Sequence, residues 1–97
     1  GAASSADGLV AEARLLEEAR RLLAIDPGRA LARTDAHARE HPGGQLAAER
    51  EVIAIDALRR LGRRGPARRR ARRLIERAPH GIYAERARAM IAAMDGD

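Results

Sequence analysis

The sequence predicts an all-α fold of five helices, and three observations carry that reading. β-Branched residues are scarce, with six Ile, two Val and one Thr, whereas 23 of the 97 residues are Ala, the strongest helix former. Apolar residues recur at helical spacing, and the recurrence breaks at clusters of Pro and Gly. The chain also nearly repeats itself: HPGGQLAAER at 41–50 is echoed by APHGIYAERA at 78–87.

The elements follow in order. Residues 1–7 are small and polar and read as a flexible leader or tag remnant, ahead of a single domain over 8–95. After Gly8, Leu9, Leu15, Leu16, Ala19, Leu22 and Leu23 mark one face of a first helix, which should end near Ala24 because Asp26-Pro27-Gly28 signals a turn. Ala30, Leu31, Thr34 and Ala38 mark a second helix, stopped by Pro42-Gly43-Gly44. A third runs from about Gln45 to Leu61 and ends at Gly62, a favoured residue just past a helix end. The fourth spans Pro66 to Ala78, with Pro suited to the first turn. Pro79-His80-Gly81 breaks it, and a fifth runs from Ile82 to about Met94.

The third helix is apolar on most sides. Ile53, Ala54, Ala57, Leu58 and Leu61 fill one face, Ala48, Val52 and Ile55 a second, and only Glu49, Asp56 and Arg60 form a polar wedge. Such a helix is surrounded by others, so it should be central. A shift of 37 residues lays the second helix on the fourth: Gly28 falls on Gly65, Ala30 on Ala67, Arg33 on Arg70 and Pro42 on Pro79. Ala11-Glu12 likewise precedes Ala48-Glu49 by 37. The order is two antiparallel helical hairpins and a closing helix, stacked as an α-solenoid whose units bury each other's apolar faces.

These residues resemble the tetratricopeptide-repeat superfamily. The likeness rests on an Ala twelve residues before a Pro (Ala30/Pro42, Ala67/Pro79), with Leu58 and Gly62 ahead of the second pair. More narrowly, Pro42-Gly43-Gly44-Gln45-Leu46-Ala47 and Pro79-His80-Gly81-Ile82-Tyr83-Ala84 are similar to the Pro-x-small-x-aromatic-Ala joint of bacterial envelope repeat proteins. Outer-membrane-assembly lipoproteins and cell-division coordinators carry such joints. The resemblance covers about residues 9–94 and implies a short right-handed solenoid that works as a protein-binding scaffold. The chain departs from the family pattern at Thr34 and Ala71, where a bulky residue is usual, and at His37, where a small one is.

The charge is uneven. All 19 basic residues are Arg, and residues 59–77 hold ten of them against one acid, Glu76. On the fourth helix Ala67, Ala71, Leu74, Ile75 and Ala78 form the inner stripe, so the arginines should point outward or sideways. Arg59, Arg63, Arg64, Arg68, Arg69, Arg72 and Arg73 are therefore candidate contacts for an anionic partner, an acidic protein, peptide or lipid headgroup first and nucleic acid as the alternative. No aromatic platform accompanies them for stacking bases. An exclusive use of Arg also fits a GC-rich genome and a merely solvated face. Met90, Ile91 and Met94 lie along the last helix, where core packing competes with a docking face or a homodimer seam.

Other chemistry has little to stand on. His37 and His41 are four apart, a metal-binding spacing, but a third ligand is missing, and His41 suits the helix C-terminus as a partial positive charge. No Ser/His/Asp set, phosphate loop or acid pair can be drawn, so no catalytic residue, cofactor or metal is expected. Without cysteine there is no disulfide framework, and no apolar run is long enough to enter a membrane. The start GAASSADG, without Met, reads as a domain taken from a longer bacterial protein. That domain is periplasmic if it follows a membrane anchor in its parent and cytoplasmic otherwise.

Overall fold

The structure, a computed structural model, describes residues 2–96, with side chains from Ala6 onward. It contains five helices: α1 (Ala2–Leu22), α2 (Pro27–Glu40), α3 (Ala47–Arg60), α4 (Arg64–Arg77) and α5 (Ile82–Gly96). There is no strand among the described residues, and no helix there is long and apolar enough to cross a membrane.

Local chemistry sets the boundaries. Helix α1 begins at Ala2 rather than after Gly8, so the backbone over 2–7 is helical where a flexible leader is expected. Three of those six residues are Ala, which costs a helix nothing in propensity. Asp26 caps α2 by accepting a hydrogen bond from the Arg29 N–H at 3.1 Å, and Pro27 supplies the first helical residue. What reads as a turn signal is thus the start of the helix. At the end of α3, Gly62 adopts φ 77° while the Arg63 N–H reaches the Leu58 carbonyl at 2.9 Å and the Gly62 N–H reaches that of Arg59 at 3.0 Å. This pair of bonds is the Schellman arrangement, and the left-handed backbone it needs is why Gly stands there. Helix α4 starts at Arg64, two residues before Pro66, which loses nothing because N–H groups in a first turn have no helical partner.

Consecutive helices pack on one another, α1 also touches α3, and α3 also touches α5, whereas α2 and α4 do not meet. Helix α3 therefore contacts all four others, as its apolar character predicts. The molecule measures 47 × 30 × 18 Å, and its thin dimension suits two layers of helices spaced about 8–10 Å apart.

Burial follows the 37-residue beat. On α2 the buried residues are Ala30, Thr34 and His37; on α4 they are Ala67, Ala71 and Leu74, each 37 further on. The alanines at the helix contacts, including Ala19, Ala30, Ala54, Ala57, Ala67, Ala71 and Ala87, are fully enclosed, so small side chains let the backbones approach closely. Larger residues fill what remains: Leu16 and Ile53 on one side, and Ile55, Leu58, Leu74 and Met94 on the other. Thr34 fits where a bulky residue is usual because its hydroxyl donates to the Leu31 carbonyl at 2.7 Å. Two expectations for the inner faces change. Leu9 is exposed, since α1 buries Glu12, Leu16 and Ala19 instead, and Ala78 lies in the open beyond the end of α4.

Candidate functional site

A groove of about 310 Å³ runs between α3 and α5. Val52, Asp56 and Arg59 form one wall, at successive turns of α3, and Arg86, Ala89 and Met90 form the other. Val52, Ala89 and Met90 make an apolar floor, kept open by the small Ala89. The two arginines stand at its sides. Asp56 accepts from Arg59 Nη2 at 2.7 Å and from Arg60 Nε at 3.3 Å. The Arg59 Nε is enclosed yet has no hydrogen-bond partner, one of two such side-chain atoms among the described residues; Arg68 Nε is the other. A buried donor left unpaired is costly, and an enclosed one lies out of a ligand's reach, so any contact with a partner falls to the guanidinium's outer nitrogens.

The arginine segment 59–77 is divided between structural and free cations. Arg59 and Arg60 are held by Asp56, Arg68 pairs with Asp95 at 2.7 Å, and Arg70 grips Glu51 with two bonds of 3.1 and 2.9 Å. Arg70 thus packs onto α3 instead of facing outward. Arg63, Arg69, Arg72 and Arg73 are exposed and make no ion pair with described residues, and Arg64 is exposed as well. Among the last-helix candidates, Met90 lines the groove and Ile91 is half-buried against the core. Met94 is a correction: only 1% of it is accessible, packed with Ile55, Leu58 and Leu74, and it cannot reach a partner.

Sequence reasoning misses a polar chain that crosses four helices, buried from Glu12 to Arg50 and half-buried at Glu51 and Arg70. The Glu12 carboxyl of α1 meets His37 Nε2 of α2 at 2.9 Å, and His37 Nδ1 lies 3.3 Å from Arg50 Nη1 of α3. Arg50 Nε donates to Glu51 at 3.1 Å, and Glu51 is held in turn by Arg70 of α4. His37 is fully enclosed, and Glu12 and Arg50 are 5% and 8% accessible. Arg50 can only donate, so Nδ1 must accept, and the imidazole is neutral with its proton on Nε2, directed at Glu12. The His37 and His41 rings lie 5.5 Å apart, but both His37 nitrogens are already engaged, and no group of three metal-ligating side chains occurs among the described residues.

Burial lowers the His37 pKa below its ordinary 6.5; the Arg50 and His41 charges push the same way, against the Glu12 hydrogen bond. For Glu51, burial alone would raise the value, but the bonds from Arg70 and Arg50 win and hold it below 4.5. The unfolded chain therefore takes up a proton at position 37 before the folded one does, and stability falls as the pH drops below 6.5. A second loss follows as the pH falls through the depressed Glu51 value. Urea midpoints between about pH 7.5 and about pH 5.5 should decline in the parent and stay level in His37→Gln, whose amide can donate and accept in the same places without titrating. An equal decline in both proteins would remove His37 as the cause.

No protein-family model matches the chain. No curated protein sequence and no solved structure is significantly similar to it.

Proposed function

We propose that the chain is a non-enzymatic protein-interaction module, a short right-handed tetratricopeptide-like solenoid of two hairpins and a closing helix within a larger bacterial protein. It takes an acidic segment with an apolar anchor into the groove between α3 and α5. The supporting pattern of contacts is simple: odd-numbered helices touch one another while α2 and α4 stay apart. Such packing curves a stack so that the odd helices line its inner side. The observation that carries the reading is the groove itself. Its floor of Val52, Ala89 and Met90 suits an apolar side chain, and the exposed Arg86, with the half-buried Arg59 across from it, suits a carboxylate beside it. The exposed arginines of α4 add long-range attraction for the same sign of partner.

The test is fluorescence anisotropy with labelled peptides of alternating Glu and Leu, at two salt concentrations, with a single-stranded and a duplex DNA in parallel. Saturable peptide binding should weaken with salt and fall about tenfold or more in Arg86→Glu and in Met90→Asp. DNA bound more tightly than any peptide, through Arg69, Arg72 and Arg73 and indifferent to Arg86→Glu, would overturn the reading in favour of nucleic acid. A dimer in sedimentation that Met90→Asp dissolves would overturn it in favour of self-association.

A further inference from the structure

Glu12 differs from the partly covered acids of α3. Glu49, Glu51 and Asp56, all partly covered, are each paired with at least one guanidinium, in a protein that has 19 of them. Glu12 is the most deeply buried acidic side chain among the described residues, and its single partner is a neutral imidazole. Only Oε1 is used. Oε2 hydrogen-bonds no protein group, yet it is not among the enclosed, partnerless atoms, so it opens onto the space beside it.

That space is a separate pocket of about 270 Å³, formed by Gly8, Leu9, Glu12, Gly43, Gly44 and Gln45. Its wall exists because glycine stands opposite the carboxyl group: a Cβ at Gly44 would overlap the Glu12 carboxyl, whereas one at Gly43 would meet nothing. Leu9, 39% accessible, gives the pocket an apolar side. The volume is small for a drug-sized ligand and suits one side chain or a chain terminus.

We propose that this pocket binds a primary ammonium group on a short aliphatic stem, with Glu12 Oε2 as the anionic acceptor and Leu9 against the methylenes. A guanidinium gains less here, because with Oε1 held by His37 it forfeits the two-bond fork that gives it its advantage over an ammonium. A compact ammonium needs only the oxygen left over. This site is independent of the α3–α5 groove, and Arg86→Glu leaves it intact.

The experiment follows backbone amide NMR signals of Gly8, Gly43 and Gly44 during titration with n-butylammonium chloride, matched by n-butanol and by sodium chloride. Saturable shifts at these three residues with the ammonium alone are expected. Glu12→Gln, whose amide oxygen still accepts from His37, should weaken the response by about tenfold. Gly44→Ala should abolish it at Gly8 and Gly43, and Arg86→Glu, outside the pocket, should leave it unchanged. Nα-acetyl-lysine amide and alanyl-leucine amide separate the sources. A stronger response to the first assigns a lysine side chain and to the second a peptide N-terminus, while butylammonium exceeding both assigns a free amine. Shifts of equal size with butanol or with sodium chloride, or none with butylammonium, overturn the proposal, and these controls need only the parent protein.

Discussion

Replacing His37 with Leu lowers the unfolding free energy by about 3–5 kcal/mol, the range for breaking a buried charged network by removing one member. The cause is electrical and not steric. A leucine is what the chain already uses 37 residues later, where Leu74 occupies the corresponding buried place. At position 37 the same side chain would leave Glu12 Oε1 and Arg50 Nη1 facing each other's empty space with no imidazole between them. In a domain of this size such a loss moves the melting midpoint down by roughly 15 °C or more. The combined change Glu12→Leu, His37→Leu and Arg50→Met should recover a large part of it, because an apolar replacement of a whole network is tolerated far better than its truncation. A His37→Leu protein as stable as the parent would show that these contacts hold nothing together.

The second large effect is expected at the centre of the stack. Ile55 of α3 is fully enclosed among Leu58, Ala67, Ala71, Leu74, Ala87 and Met94, which come from α3, α4 and α5. Ile55→Ala removes three carbons and leaves a cavity walled by other helices, at a cost of about 2–5 kcal/mol. Ile25, 79% accessible in the turn after α1, provides the control, and Ile25→Ala should change the urea midpoint hardly at all. Equal effects at the two positions would mean that α3 is not the helix the others close upon.

The five helices are legible because their signals are local. Ala-rich apolar stripes and Pro-Gly breaks lie within a few residues of what they determine, and Gly62 marks its turn without help from the rest of the chain. The misreadings are of two kinds. Asp26-Pro27 can serve as a turn or as a helix start, and α4 begins at Arg64, ahead of the Pro66 that marks its first turn in the sequence. His37 and Glu12 were hidden by their polarity, although each sits in register with apolar neighbours: His37 after Ala30 and Thr34, Glu12 before Leu16 and Ala19. The 37-residue shift places His37 on Leu74, a residue whose inner position is plain from the sequence, and that correspondence was the available signal. The groove had none. Arg59 stood out by charge and Met90 by its place on the last helix, but Val52, Ala89 and Arg86 come together only through the spacing of α3 and α5.

Interfaces built mainly of alanine are smooth, and two smooth rods can slide along each other at little cost. The polar chain from Glu12 through His37, Arg50 and Glu51 to Arg70 acts as a set of dowels across four such rods. Displacing any one of them by a helical turn, about 5.4 Å, would strand a charge against methyl groups. The work of bulky interlocking side chains, fixing how far each member is pushed in, is shared here between a few large core residues such as Leu16, Ile55 and Met94 and five hydrophilic ones.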